Sequence, residues 1–194
     1  LCRLFPLGAL TRGLQGEVLT EMAQLTASGC VGFSQADVAI RDTLVLQRAL
    51  QYAATFGYAV WLRPQDAWLG KGVAASGAVA TRLGLSGVPV AAETIALFTI
   101  FELMRGTGAR VHLERLSSAA GVELVLAVRA ALGARAELAI VSDGALLATY
   151  GQPVQRQAMA ALKRAKVQVL QGRCTAIERK HVIVGASMRV VCDV

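Results

Sequence analysis

Two stretches constrain the fold more than any others: Val60-Trp61-Leu62-Arg63-Pro64-Gln65-Asp66 and Ala109-Arg110-Val111-His112-Leu113-Glu114-Arg115-Leu116-Ser117-Ser118. Each begins as a short apolar run of strand character and breaks into a charged loop. Segments of helical period stand before and after them. Strands that alternate with helices in this way need parallel crossovers, so the chain is restricted to an α/β class: a partial (βα) barrel, or an open parallel sheet with helices on its faces. In both arrangements, chemistry gathers where strands run out into loops.

Periodicity extends the pattern along the chain. Leu4 to Leu7 reads as a strand. Gly16 to Ala27 has helical spacing in Val18, Met22 and Leu25, and Cys30 to Ser34 is the next strand. Asp42 to Phe56 predicts a helix with Asp42 as its N-cap and Gly57 as its stop. Tyr58 to Leu62 is a strand, Gly70 to Ser86 a Gly- and Ala-rich connection, and Ala91 to Arg105 a helix. Arg110 to Leu113 is a strand, and the helix from Ser117 to Ala131 takes Ser117 or Ser118 as cap.

The pattern changes after Leu132-Gly133. Glu137 to Val141 is a strand, Ser142-Asp143-Gly144 a turn, and Val154 to Lys166 a helix with Pro153 at its start. Val167 to Gln171, Cys174 to Glu178, His181 to Val184 and Met188 to Val191 follow so closely that antiparallel ribbons are expected. Charge divides the chain similarly. Residues 1–128 carry ten basic and nine acidic side chains, whereas residues 129–194 carry ten and four, net +6. The expected domains are therefore 1–128 and 133–194, the second a β-α-β segment ending in short antiparallel strands, either separate or completing the first.

Hydrophobic residues make up 55% of the 194, enough for a buried core. The longest apolar candidates, Met22 to Ala36 and Ala49 to Leu62, stop short of the roughly 18 uncharged residues of a membrane-spanning helix. The first residues lack the charged start, apolar stretch and cleavage site of a signal peptide. Cys2, Cys30, Cys174 and Cys192 form no Cys-x-x-Cys pair, so free thiols in the cytoplasm are expected. The abrupt start and finish suggest an excised piece.

Residues 1–128 resemble the middle of a dihydroorotase barrel of the amidohydrolase superfamily (a TIM barrel fold). The carrying motifs are Leu4-Phe5-Pro6-Leu7-Gly8-Ala9-Leu10-Thr11-Arg12-Gly13-Leu14-Gln15-Gly16-Glu17, then Ala27-Ser28-Gly29-Cys30-Val31-Gly32-Phe33-Ser34, and the two strand ends with arginines. Where catalytic members carry metal-binding histidines, this chain has Arg63 and Arg115. A guanidinium keeps its proton and offers no lone pair, so it repels a divalent ion. Members without the metal ligands are noncatalytic partners of aspartate carbamoyltransferase in pyrimidine biosynthesis. The resemblance thus implies a pseudoenzyme: no catalytic, metal or cofactor residues, with Arg63, Asp66, His112 and Arg115 as vestigial site positions. The His-x-His strand and the strand with the catalytic aspartate have no counterpart here. Self-association or binding of a protein such as aspartate carbamoyltransferase is implied, because a partial barrel leaves strand edges and apolar faces open.

Residues 133–194 resemble, less closely, a Rossmann-like piece of an FAD- or NAD-linked pyridine nucleotide oxidoreductase. The matching runs are Ala136 to Leu147 and Ala161 to Leu170. The G-x-G-x-x-G loop that would hold a dinucleotide pyrophosphate is absent. A chimera of two α/β fragments, natural or artificial and then without native activity, fits these two resemblances. A remnant oxidoreductase is the alternative.

For single residues the plainer readings lead. Arg63 and Arg115 are expected to be solvated or paired, with Asp66 and Glu114, ahead of a partner- or phosphate-binding role. His112 is expected to pack in the interior with one hydrogen bond. Asp143 reads as a turn residue before it reads as a ribose ligand, and Gly70-Lys71-Gly72 lacks the phosphate-loop spacing. Neither His112 nor His181 lies in a nucleophile motif. The basic segment with Lys163, Arg164, Lys166, Arg173, Arg179, Lys180 and Arg189 could meet nucleic acid by counterion release. With only Tyr150 nearby for stacking, a solvated face is the simpler reading.

Overall fold

The computed structural model describes residues 4–132, 139–142, 144–148, 150–172, 174–178, 181–184 and 188–191. They form two compact units, one ending at Ser117 and the other beginning at Ser118.

The first unit is built on four parallel strands in the order β1 (Leu7–Ala9), β2 (Gly32–Ser34), β3 (Ala59–Leu62) and β6 (Arg110–Leu113). The helices α1 (Met22–Ala27), α2 (Thr43–Phe56) and α4 (Ala91–Thr107) connect them. This is the mixed α/β class expected, a parallel sheet flanked by helices. Its core joins Phe33, Val60 and Leu62 of the sheet to Leu46, Ala49, Leu50 and Ala53 of α2 and Ile100 of α4. Gly8 is required here, since a Cβ would stand 2.7 Å from the ring of fully buried Phe33.

Helix α2 begins and ends as its sequence dictates. The Asp42 carboxylate accepts from Leu44 N at 2.8 Å, and Gly57 closes the helix with φ of 69°. Two other segments differ from expectation. The first strand starts at Leu7 and not at Leu4, which is 87% exposed. Pro6 has no N–H for a ladder and serves only as acceptor for Val31 N. The helix expected from Gly16 starts at Met22, because residues 18–20 bond to the end of β1 and the residues just after it. Arg12 N donates to Val18 O, Thr20 N to Leu10 O, and the Thr20 hydroxyl to Ala9 O at 2.5 Å. A threonine that reaches back to a strand carbonyl takes its own turn out of the helix.

The Gly- and Ala-rich connection is also structured. A 3-10 turn at Leu69–Lys71 leads to β4 (Ala74–Ala75), α3 (Ala78–Arg82) and β5 (Gly87–Val88), and β4 pairs parallel with β5. A Cβ on Gly72 would meet the Gly87 carbonyl carbon at 2.6 Å, so small residues permit this close approach.

The second unit contains α5 (Ala119–Leu132), β7 (Ala139–Ser142), α6 (Gln152–Arg164), β8 (Gln168–Gln171), β9 (Cys174–Glu178), β10 (His181–Val184) and β11 (Met188–Val191). The Ser118 hydroxyl accepts from Gly121 N at 2.9 Å, which makes it the N-terminal cap of α5. Pro153 lies in the first turn of α6, as expected. Strands β9, β10 and β11 form the antiparallel ribbon. Strand β8 does not join it. It pairs parallel with β7, because the intervening α6 is long enough for a crossover. Val122, Leu162 and Val167 are the buried centre of this unit.

Candidate functional site

Parallel strands deliver their following loops to one edge of the sheet, and three of those loops meet at Asp37. This residue stands three positions beyond the end of β2. Arg63, the first residue after β3, donates from Nη1 to Asp37 Oδ1 at 3.2 Å. Arg115, two positions after β6, pairs through Nη1 with the same oxygen. Its Nη2 lies 3.8 Å from Glu114 Oε1. Two guanidiniums and two carboxylates thus form a neutral cluster whose members are partly open to water.

The backbone that carries this cluster is not relaxed. Ala36 has φ of 51° and Arg115 φ of 57°, left-handed values that side chains other than glycine seldom adopt. Behind the Asp37 loop, a polar network fixes the neighbouring turns. The buried Thr11 hydroxyl donates to Gln35 Oε1 at 2.9 Å and accepts from Gly16 N at 2.9 Å, while Gln35 Nε2 donates to Leu14 O. On the far side, buried Glu93 of α4 accepts from both the backbone N–H and the hydroxyl of Ser117, each at 2.7 Å, and so holds the loop after β6.

The four positions singled out in the sequence are thus distributed differently from expectation. Arg63 and Arg115 do come together, but on Asp37. Arg63 does not pair with Asp66, because the Asp66 carboxylate accepts from Trp68 N and Leu69 N at 2.9 and 2.8 Å and caps the 3-10 turn. Glu114 is a distant second partner of Arg115. His112 stands apart from the cluster. It is the register partner of Trp61, and the two rings stack at 3.7 Å. Burial pushes its imidazole down to about 4 from the usual 6.5, so the ring is neutral at pH 7. No hydrogen bond joins that ring to another described residue, in contrast to the one expected; the stacked indole occupies its face.

Asp37, Thr11, Gln35 and Glu93 were missed by sequence reasoning. Asp37 had a readable signal, being a charged residue just past an apolar strand run, as Arg63 is. Thr11 and Gln35 lie far apart in sequence and carry no such mark. Asp143 lies outside the described residues, as do Cys2 and Cys192. Cys30 is a free thiol. Lys163, Arg164 and Lys166 are exposed around the end of α6.

Between the loop after β2, the loop after β3 and α4 lies a cavity of about 110 Å3, lined by Asp37, Arg41, Arg63, Trp68, Ile95 and Thr99 among others. Trp68 is 63% exposed, and two cations stand over its ring, Lys71 Nζ at 4.1 Å and the Arg41 guanidinium at 5.2 Å from its centroid.

A divalent metal, which the dihydroorotase resemblance brings into question, does not fit these residues. Asp37 is already taken by two permanent cations, and the Asp66 oxygen is used by backbone N–H groups. Among the described residues, no three His, Cys, Asp or Glu side chains converge as a metal site. No described helix is long and apolar enough to cross a membrane.

The chain is 43% identical over 129 residues to a dihydroorotase-like protein of Pseudomonas aeruginosa, which covers 66% of this chain and 30% of that relative. About two thirds of this chain is thus similar to proteins named dihydroorotase-like. A dihydroorotase-like protein of Pseudomonas putida matches at 43% over 124 residues, 63% of this chain and 29% of the relative. A dihydroorotase of Anaeromyxobacter matches at 40% over 126 residues, 64% of this chain and 29% of the relative. The chain spans about 30% of the length of these curated relatives. No protein-family model matches it.

Proposed function

We propose that this chain is a piece of a noncatalytic, dihydroorotase-like scaffold whose role is structural: it holds a second copy of itself or a protein partner such as aspartate carbamoyltransferase. One observation carries the reading. At the sheet edge where an α/β barrel does its chemistry, the Asp37 carboxylate is shared by Arg63 and Arg115. Metal-assisted hydrolysis needs open coordination positions and a Lewis acid there, and an ion-pair cluster supplies neither. Similarity to proteins named dihydroorotase-like and dihydroorotase supports the scaffold.

The test is turnover of dihydroorotate, followed by ultraviolet absorbance, with the purified chain and added zinc. The expected result is no rate above buffer. The double variant Arg63→His/Arg115→His is expected to stay equally inactive, since two imidazoles do not make a binuclear site. Sustained turnover that a chelator abolishes would overturn the reading. Co-sedimentation with aspartate carbamoyltransferase tests the partner separately.

A further inference from the structure

We propose that Arg63 and Arg115 form a clamp for a small organic carboxylate, that Asp37 occupies it as an internal stand-in, and that the adjoining cavity takes the remainder of the ligand. The clamp already holds a carboxylate. Two guanidiniums from different strand ends converge on a single oxygen, Asp37 Oδ1. Fork-shaped donors match the planar geometry of a carboxylate, which they can bind in bidentate fashion.

Two further observations favour exchange of Asp37 for a ligand over a fixed ion pair. The Asp37 side chain is 61% exposed, so it can turn into water without leaving a buried charge. Arg63 and Asp37 both line the cavity, whose other walls include Leu46, Ile95, Ile100 and Thr99. Its volume of about 110 Å3 suits a few heavy atoms with an apolar stem and one polar group. Glu114 faces Arg115 from 3.8 Å, so the cluster is neutral with Asp37 in place. A carboxylate that replaces Asp37 preserves this balance, whereas one that simply adds to the cluster does not.

The probe is succinate, with sodium chloride at matched ionic strength as control, and the readout is the arginine Nε–Hε signals of the isotope-labelled chain. We expect saturable shifts at Arg63 and Arg115 with millimolar affinity. Asp37→Asn, which removes the competing carboxylate and keeps its shape, should bind about fivefold tighter. Arg63→Gln and Arg115→Gln should each lose saturable binding, with circular dichroism checking that they fold; Arg63→Lys, which keeps the charge and loses the fork, replaces any variant that does not. Equal shifts with chloride and succinate, or an affinity unchanged in Asp37→Asn, would overturn the clamp. The clamp shares its arginines with the scaffold reading, yet the two fail separately. Zinc-dependent turnover removes the scaffold, and absence of succinate binding removes only the clamp.

Discussion

At the residue scale, the decisive property of Arg63 and Arg115 is their fixed positive charge, which the Asp37 carboxylate meets. His112 behaves in the opposite way, because burial beside Trp61 keeps it neutral. Its folded pKa of about 4 lies below the unfolded 6.5, so the unfolded chain binds the proton more readily between those values. The stability from neutral His112 is therefore complete above pH 6.5 and is lost as pH falls towards 4, by about 1–3 kcal/mol. Urea unfolding at pH 5 and pH 7 should show this loss, and His112→Phe, which keeps the stack and removes the titration, should flatten it. Thr11 supports a second prediction. Thr11→Val leaves Gly16 N and the Gln35 amide oxygen without their partner in a buried place. A cost of about 1–3 kcal/mol in the same assay is expected, more than its small change in volume would suggest.

At the scale of elements, local rules succeed where an element closes on itself. Helix α2 was readable from both ends because its cap and stop are chemistry within three residues of the boundary. Asp42→Ala should cost about 1 kcal/mol in thermal or urea unfolding and leave the far end of the helix intact. Helix α1 was misread because its first expected turn is claimed by the end of β1 and the residues just after it, through Thr20 and Val18, contacts that no window of periodicity includes. For strand β8 two expectations competed, since short spacing puts it in the antiparallel ribbon whereas a β-α-β segment pairs it with β7, and the second is the one observed. Its spacing from β9 is that of a hairpin, yet its edge is already paired with β7 across α6.

At the scale of the whole molecule, four parallel strands in sequential order leave β1 and β6 as the ends of their sheet. Val73, Val79, Leu83 and Phe98 are each at least 60% exposed. Edges and apolar surface of this kind favour association. Sedimentation velocity at rising micromolar concentrations should show species heavier than the 20.4 kDa monomer, and Phe98→Glu should shift them back. A monomer throughout the range would remove the self-association half of the proposal.

The sequence by itself determined the α/β class, the approximate place of each strand and helix, and the presence of arginines where strands end, because these depend on periodicity and on the chemistry of single side chains. Only the tertiary structure decided which carboxylate meets those arginines, which face His112 takes, and which hydroxyl holds Gln35. Thr11 and Gln35 are 24 positions apart, and Arg63 and Asp37 are 26 apart. Contacts over such separations are set by strand order and register, and these are fixed by how the whole sheet buries its apolar face against its helices.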